Sequence, residues 1–246
     1  MTPQNRVILI TGAGGGLGGA AAQALARDGA SLVLLDNSIP RLEKVYDAVI
    51  AAGGPEPALY PFDLAGANAQ EYQDLADTLA THYGALHGIL HSAAAFGAFT
   101  PLSQQKPHEW AQAITVNLHA PFLLTQELLP LLQASGDASV VFTTDSAVRQ
   151  AKAYHGGYGV SKIAMEAMAG IWAAELAAAG KIRVNILCPG PVDSPIRKKA
   201  YPGEDKTSLP TPADLGPAYL YLFGAASRGV TGQALDARSF IAEEAL

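Results

Sequence analysis

A glycine-rich run near the start of the chain constrains the fold more than any other feature of the sequence. Residues 7–10 read Val-Ile-Leu-Ile, the run begins at Thr11, and an alanine-rich segment with helical spacing follows it. Glycines let backbone amides approach a pyrophosphate, and a helix N-terminus adds partial positive charge. The pattern predicts a strand, a phosphate-binding loop and a helix at the start of a βαβ unit; a flexible glycine turn is the alternative. The loop residues predicted to contact a dinucleotide are Gly12, Gly14, Gly15, Gly16, Leu17 and Gly18.

The rest of the chain alternates between short β-branched or leucine-rich runs and longer segments with apolar residues three or four apart. This alternation is typical of a parallel sheet with helices on both faces, joined by right-handed crossovers. We predict one α/β domain over residues 1–246, built on a Rossmann-type doubly wound sheet of about seven strands. Strands are predicted near 6–10, 31–35, 58–62, 87–91, 138–143, 182–187 and 233–236. Helices are predicted near 16–28, 40–52, 68–83, 107–134, 156–179 and 212–224.

Composition argues against several kinds of partner. Charged residues make up 15% of the chain and the formal net charge is -6, whereas binding to nucleic acid normally needs clustered Lys and Arg. The apolar runs are too short to span a bilayer and no targeting signal is visible, so we expect no membrane partner and a cytoplasmic location. The single cysteine, Cys188, cannot form an intrachain disulfide, and no Cys/His group has zinc spacing, so no metal site is predicted.

The predicted second strand ends in an acidic residue, Asp36. A carboxylate there can accept hydrogen bonds from both adenosine ribose hydroxyls, and its charge would repel a 2′-phosphate. Neither Gly15 nor Asn37, where a cation could neutralise that phosphate, is basic, so the sequence favours NAD over NADP. The alternative is that Asp36 only caps a turn. At the end of the third strand, Asp63 and Leu64 are predicted at the adenine, although a solvated turn explains Asp63 nearly as well.

Three further motifs lie in register with the glycine run along almost the whole chain. They are Asn117, Tyr158-x-x-x-Lys162 and the Pro-Gly-Pro-Val-Asp-Ser run at 189–194. With these motifs the chain resembles the classical short-chain dehydrogenase/reductase family. Further details resemble a little-characterised bacterial subgroup of oxidoreductases, which does not indicate a substrate. These details lie at residues 130–132, 148–150 and 211–214.

The resemblance implies hydride transfer between NAD and a small-molecule alcohol or carbonyl substrate, with Tyr158 as general acid/base and Lys162 on the nicotinamide ribose. The residues themselves agree, because Tyr158 and Lys162 fall one turn apart on the same face of a predicted helix. An ammonium group in that position stabilises a tyrosinate and lowers the pKa of the phenol from its usual value of about 10. A base nearer neutrality suits chemistry on an alcohol.

Asn117 lies in a predicted helix, four residues before Pro121. Proline has no N–H, so the carbonyl of Asn117 loses its usual helical partner. The resemblance implies that this carbonyl holds a water in a proton relay from Lys162, and a kink formed for packing is the alternative. The other cofactor-binding residues that the resemblance implies are Ala93, Pro189, Gly190, Val192 and Ser194.

The family's catalytic serine normally lies about 13 residues before the tyrosine, and here that position is Asp145. An ionised carboxylate cannot donate a hydrogen bond to a carbonyl, and it would raise the pKa of Tyr158. Either Asp145 orients a substrate hydroxyl in an alcohol dehydrogenase, or the neighbouring Ser146 or Thr144 supplies the donor. A non-catalytic NAD-binding sensor or scaffold is the alternative function.

The sequence departs from the family pattern again after the predicted fourth strand. His91-Ser92 stands where the family has Asn-Asn, and we expect His91 to be a structural residue. The Pro-rich stretch 189–212 is the predicted substrate lid. The predicted helix 163–179 is more apolar than one sheet face requires, which predicts a homo-oligomer, either a dimer or a tetramer.

Overall fold

The computed structural model describes residues 5–243. Within them, seven parallel strands form one sheet in the order β3-β2-β1-β4-β5-β6-β7. The order of addition reverses between β1 and β4, and ligands of such sheets bind outside the carboxyl ends of the strands at that point. The strands are β1 (Val7–Thr11), β2 (Ser31–Asp36), β3 (Ala58–Pro61), β4 (Gly88–His91), β5 (Ala138–Thr143), β6 (Ile182–Cys188) and β7 (Ala234–Asp236).

Helices cover both faces of this sheet. One buried layer joins α3, α5 and α6 to the sheet, and the other joins α1, α2 and α8 to its opposite face. Every residue of β5 and β6 is buried, as expected for parallel strands between two helical layers. The α-helices are α1 (Gly16–Arg27), α2 (Ile39–Ala51), α3 (Ala69–Tyr83), α4 (Pro107–Ile114), α5 (Ala120–Ser135), α6 (Gly156–Leu176), α7 (Pro195–Ala200), α8 (Gly216–Phe223) and α9 (Arg238–Glu243).

The predicted Rossmann-type α/β architecture is confirmed, and the predicted strands agree with the structure within two residues at each end. The single helix predicted over 107–134 is wrong in one respect, because a π-helical turn, Thr115–His119, separates α4 from α5. Pro121 explains this break, since it cannot donate to the carbonyl of Asn117 and disturbs the regular hydrogen-bond ladder. The segment 189–212 contains α7, which the sequence analysis did not predict.

Three arginines meet one carboxylate, Asp137, at the amino-terminal edge of the sheet. Arg183 forms an ion pair with Asp137, Arg228 donates to it at 3.0 Å, and the Arg6 guanidinium lies 3.4 Å away. Burial alone would raise the pKa of Asp137, but hydrogen bonds from Arg183 and Arg228 outweigh it and hold this pKa at about 2. The cluster ties β1, β5, β6 and the segment before β7 together.

None of the helices in residues 5–243 is long and apolar enough to cross a membrane. In the same part of the chain, no group of three or more His, Cys, Asp and Glu side chains is placed to hold a metal ion.

Candidate active site

A cavity of about 700 Å³ opens at the carboxyl ends of the central strands. The register brings Thr11, Leu35 and His91 to the same level at this edge, so the loops that follow β1, β2 and β4 converge there. All the sequence-predicted cofactor-binding residues line this cavity, as do Asp145, Ser146, Tyr158 and Lys162. Asn117 lies beneath it and is fully buried.

The glycine loop presents bare backbone to the cavity. Gly12 has a φ of +64°, and a Cβ added there would lie 2.7 Å from the Cα of Ala93. A Cβ on Gly18 would collide with the carbonyl oxygen of Gly12, so the first turn of α1 packs directly on the loop. The loop therefore requires glycine at these two positions, and it leads directly into a twelve-residue helix. This is the arrangement that a dinucleotide pyrophosphate needs.

Asp36 is buried at the end of β2, and its carboxylate faces the glycine loop. It accepts hydrogen bonds from the amide of Gly14 at 3.2 Å and from the amide of Ser38 at 3.0 Å. Arg41, in the first turn of α2, places its guanidinium 3.2 Å from the same carboxylate and 3.0 Å from the Asn37 side-chain oxygen. The sequence analysis missed this cation because it considered only Gly15 and Asn37 as positions for a basic residue.

At the end of β3, Asp63 and Leu64 follow Phe62 along the wall of the cavity. Asp63 is exposed, and its carboxylate accepts the amide of Ala65 at 3.0 Å. Leu64 is buried against the core. An apolar side chain beside an acceptor fits an adenine ring and its amino group, while the cap on Ala65 shows that Asp63 also has a local structural role.

Tyr158 and Lys162 lie side by side on the first two turns of α6, and both are buried. The ammonium of Lys162 donates to the carbonyl of Thr143 at 2.7 Å. Burial lowers the pKa of Lys162 to about 8, while the charges of Asp145 and Glu166 oppose that shift. The chain therefore brings the two sequence-predicted residues together and fixes the lysine against the end of β5.

Asp145 contacts the phenol directly. The Tyr158 hydroxyl donates to one carboxylate oxygen at 3.2 Å, and the other oxygen accepts the amide of Ala147 at 2.9 Å. Burial and the Asp145 charge raise the pKa of Tyr158 well above its usual value of about 10. This direction is opposite to the lowering that the sequence analysis expected from Lys162. The raising effect expected from Asp145 is confirmed.

The two hydroxyls that flank Asp145 differ in their surroundings. Thr144 is buried and its hydroxyl already donates to the Glu166 carboxylate, which also accepts from Arg149 at 2.8 Å. Ser146 is half-buried and lines the cavity. Of the three residues considered for the position of the family's serine, Asp145 is the one that touches Tyr158.

Asn117 lies in the π-helical turn, and its side chain joins three parts of the site. Its amide oxygen accepts from the Ala95 N–H at 2.7 Å, and its amide nitrogen donates to the Ala95 carbonyl and to the Ser161 hydroxyl, each at 3.0 Å. The side chain thus ties the loop after β4 to α6. Pro121, four residues on, has no N–H to offer the Asn117 carbonyl, and the water relay remains a prediction.

The loop after β6 forms the other side of the cavity. Pro189, Gly190 and Val192 line it, with Gly190 at a φ of +67° against the Arg238 side chain. The Ser194 hydroxyl accepts the Arg197 amide at 3.2 Å and so caps α7. The resemblance implied a cofactor contact for Ser194, and the hydrogen bond that the structure shows for its hydroxyl is this cap.

An aromatic wall, which the sequence analysis missed, covers the phenol. It consists of Phe96 and Phe99 after β4 together with Tyr201 after α7. Phe96 lies 5.2 Å from the Tyr158 ring and 5.0 Å from Phe99, and Phe99 lies 5.4 Å from Tyr201. The Arg197 guanidinium stacks on Tyr201 at 3.9 Å. The wall joins the loop after β4 to α7 and gives the far end of the cavity an apolar surface.

His91, at the end of β4, belongs to the interior rather than to the cavity. Its ring stacks on Phe142 at 4.6 Å, and Nε2 lies 3.0 Å from the Thr125 hydroxyl. Burial and the nearby Lys162 charge lower the pKa of His91 to about 3, so the ring is neutral. The ring therefore has the interior position expected of a structural histidine, but only Nε2 is hydrogen-bonded, and Nδ1 is buried without a partner among the described residues.

Comparison with known proteins decides the family. A family model described as short chain dehydrogenase matches residues 6–205. The chain belongs to the short chain dehydrogenase family. It is 40% identical over 234 residues to the uncharacterized oxidoreductase YciK of Escherichia coli K12, covering 95% of this chain and 92% of that one. It is 31% identical to the cyclohexanol dehydrogenase of Acinetobacter sp. SE19, covering 78% and 75% of the two chains.

A solved short chain dehydrogenase structure from Shigella flexneri 2a, complexed with NADP, is also similar. It superimposes with a TM-score of 0.92 at 39% identity and covers 96% of this chain and 98% of that chain. The family resemblance and the little-characterised bacterial subgroup are therefore confirmed. The protein is an oxidoreductase enzyme that binds a nicotinamide cofactor and acts on a small molecule. The bare glycine loop and the cavity fit that cofactor. The similar structure contains NADP, and which dinucleotide this chain binds depends on its own residues around Asp36.

Proposed function

We propose that this enzyme transfers a hydride between an alcohol or carbonyl substrate and NAD, with Tyr158 as general acid/base and Lys162 assisting. The observation that carries this proposal is the burial of Tyr158 and Lys162 side by side against the cavity that the glycine loop also lines. When bound, the nicotinamide ring accepts or supplies the hydride. The chain's own residues hold the substrate oxygen and move its proton.

Each polar group has a defined part in that proton transfer. The Tyr158 phenol lies at the apolar end of the cavity, where it exchanges a proton with the substrate oxygen. Since the pKa of Lys162 is about 8, its ammonium is mostly charged at neutral pH and stabilises negative charge beside the phenol. The carbonyl of Asn117 faces Pro121 and holds a water that connects Lys162 to solvent. Asp145 takes the place of the family's serine and orients the substrate hydroxyl.

NAD is proposed rather than NADP because the buried carboxylate of Asp36 lines the cavity where the adenosine ribose of the cofactor is expected to bind. A phosphate about 4 Å from this carboxylate would be repelled by ~1 kcal/mol in water and ~4 kcal/mol near a protein surface. The Arg41 guanidinium partly offsets this repulsion, but Arg41 is already engaged with Asp36 and Asn37. The similar structure from Shigella flexneri holds NADP, so the choice needs a direct measurement.

Fluorescence titration with NADH and NADPH tests the dinucleotide choice. We expect NADH to bind at least about fivefold more tightly, the ratio that ~1 kcal/mol implies. The Asp36→Ala variant should reduce the preference for NADH over NADPH. The Arg41→Ala variant should increase this preference, because it weakens the binding of NADPH. Tighter binding of NADPH to the unaltered protein would refute the choice of NAD.

A panel of alcohols, with cyclohexanol as the first probe, tests the reaction. Production of NADH from NAD is followed by absorbance, with Tyr158→Phe as the control because it removes only the phenol hydroxyl. We expect turnover that Tyr158→Phe lowers by about a hundredfold or more. Equal turnover by both proteins would refute the role of Tyr158.

The exposed face of α6 supports a homo-oligomer, which we propose is a dimer or a tetramer. Val160, Ile163 and Ile171 are each more than two-fifths exposed, and Trp110 of α4 is partly exposed nearby. Such a stripe of large apolar side chains is typical of a subunit contact. We also propose that 189–212 acts as the substrate lid, because α7 and Tyr201 close the aromatic wall over the cavity.

A further inference from the structure

The phenol that would exchange a proton with substrate is hydrogen-bonded to a carboxylate. The Tyr158 hydroxyl donates to Asp145 at 3.2 Å, whereas the Lys162 ammonium donates to the Thr143 carbonyl. Asp145 is held in place by the Ala147 amide, which occupies its other oxygen. The phenol proton therefore points towards an acceptor rather than towards bulk water.

Building on the proposed hydride transfer, we infer that Asp145 is the proton acceptor in alcohol oxidation and that Tyr158 passes the proton to it. The substrate O–H bond breaks as its proton moves to the phenol oxygen of Tyr158. At the same time the phenol proton moves to Asp145, and a neutral carboxylic acid forms. The substrate C–H bond gives its hydride to the oxidised nicotinamide, and the C–O bond becomes a double bond.

This relay avoids a free tyrosinate. Burial and the Asp145 charge both oppose ionisation of Tyr158 and raise its pKa, so a separate tyrosinate is costly in this site. When the phenol gains one proton as it loses another, it stays neutral throughout. Asp145 is half-buried and lines the cavity, so its acid form can return the proton to water at the cavity mouth.

The relay carries the proton from the substrate to the carboxylate during alcohol oxidation. An ionised carboxylate has no proton to donate and can only accept one. Reduction of a carbonyl by the same relay would need Asp145 in its acid form. A serine in the same position differs, because its hydroxyl can donate to a carbonyl.

A first experiment tests the Asp145–Tyr158 coupling without turnover. The protein is labelled with 3-fluorotyrosine, and the fluorine resonance of Tyr158 is identified by its absence in Tyr158→Phe. At pH 7 we expect Asp145→Asn to shift this resonance, because it removes the charged acceptor of the Tyr158 hydroxyl. The exposed Asp77→Asn, an identical charge change on α3, should leave the resonance at its position in the unaltered protein. The same resonance position in Asp145→Asn and in the unaltered protein would overturn the coupling.

A second experiment tests the acceptor role with cyclohexanol and NAD at pH 7. We expect Asp145→Asn to lower the oxidation rate by about a hundredfold or more. Asp145→Glu should restore part of the rate, because it restores an acceptor. If Asp145→Asn matches the unaltered rate, Asp145 is not the acceptor and the proposed hydride transfer stands. If the unaltered protein oxidises no alcohol, the proposed function fails, and the fluorine measurement alone decides on the coupling.

Discussion

The buried ring of His91 makes the stability of this fold depend on pH in a way that can be measured. The pKa of His91 is lowered from 6.5 to about 3 in the folded chain, chiefly by burial. Below pH 6.5 the unfolded chain therefore binds a proton that the folded chain does not, and stability falls as pH falls. The slope is about 1.4 kcal/mol per pH unit, because one proton is involved. Between pH 7 and pH 5 the expected loss is about 2 kcal/mol, and it continues until the pH reaches the folded pKa.

Urea unfolding of the unaltered protein and of His91→Gln at pH 5, 6 and 7 measures this loss. Removing the ring from its stack on Phe142 costs stability at every pH, so the slope rather than the absolute value is diagnostic. We expect the advantage of the unaltered protein over His91→Gln to shrink by about 2 kcal/mol from pH 7 to pH 5. The exposed His108→Gln serves as the control, since water reaches that ring in both states. Parallel curves for the unaltered protein and His91→Gln would refute the argument.

Three further predictions follow from other parts of the structure. Gly18→Ala places a methyl group against the backbone of the phosphate loop, so it should abolish NADH binding in a fluorescence titration while circular dichroism still shows a folded protein. Asp137→Asn should lower the free energy of unfolding by about 2 kcal/mol at pH 7, since the carboxyl pKa is about 2 folded and 3.8 unfolded. That contribution should vanish as pH falls from about 4 to 2, and an unchanged urea midpoint at pH 7 would count against it. Ile163→Lys with Ile171→Lys should convert the proposed oligomer to monomers in sedimentation, and an unchanged mass would place the subunit contact elsewhere.

The fold follows from patterns that are local in the sequence. Strands of a doubly wound sheet are buried on both faces, so they are continuous apolar runs, and the glycine loop fixes where the first of them ends. The break between α4 and α5 was harder to predict, although its cause is local. Pro121 marked a disturbance of the helix, but the sequence does not distinguish a kink from a π-helical turn, because both relieve the same missing hydrogen bond.

Parts of the site depend on side chains that meet only in three dimensions. Arg41 is five residues beyond Asp36 in the sequence. Its guanidinium reaches the Asp36 carboxylate only because the chain turns between β2 and the first turn of α2. A search of the first turn of the helix after β2 would have found it. The aromatic wall has no such signal, because Phe96 and Phe99 are about a hundred residues from Tyr201 and no spacing rule connects them.

Asp145 shows where a family motif determines a position but not its chemistry. Counting residues back from Tyr158 placed a carboxylate where a serine is usual. The count did not exclude a one-residue bulge that would bring the hydroxyl of Thr144 or Ser146 to that position. The structure distinguishes these residues through their partners, because Thr144 donates to Glu166 while Asp145 accepts from Tyr158. A serine at that position can donate to a substrate carbonyl, whereas a carboxylate in contact with the phenol can only accept. In the proposed relay, the substitution therefore changes the direction in which the tyrosine passes its proton, while the fold remains that of the family.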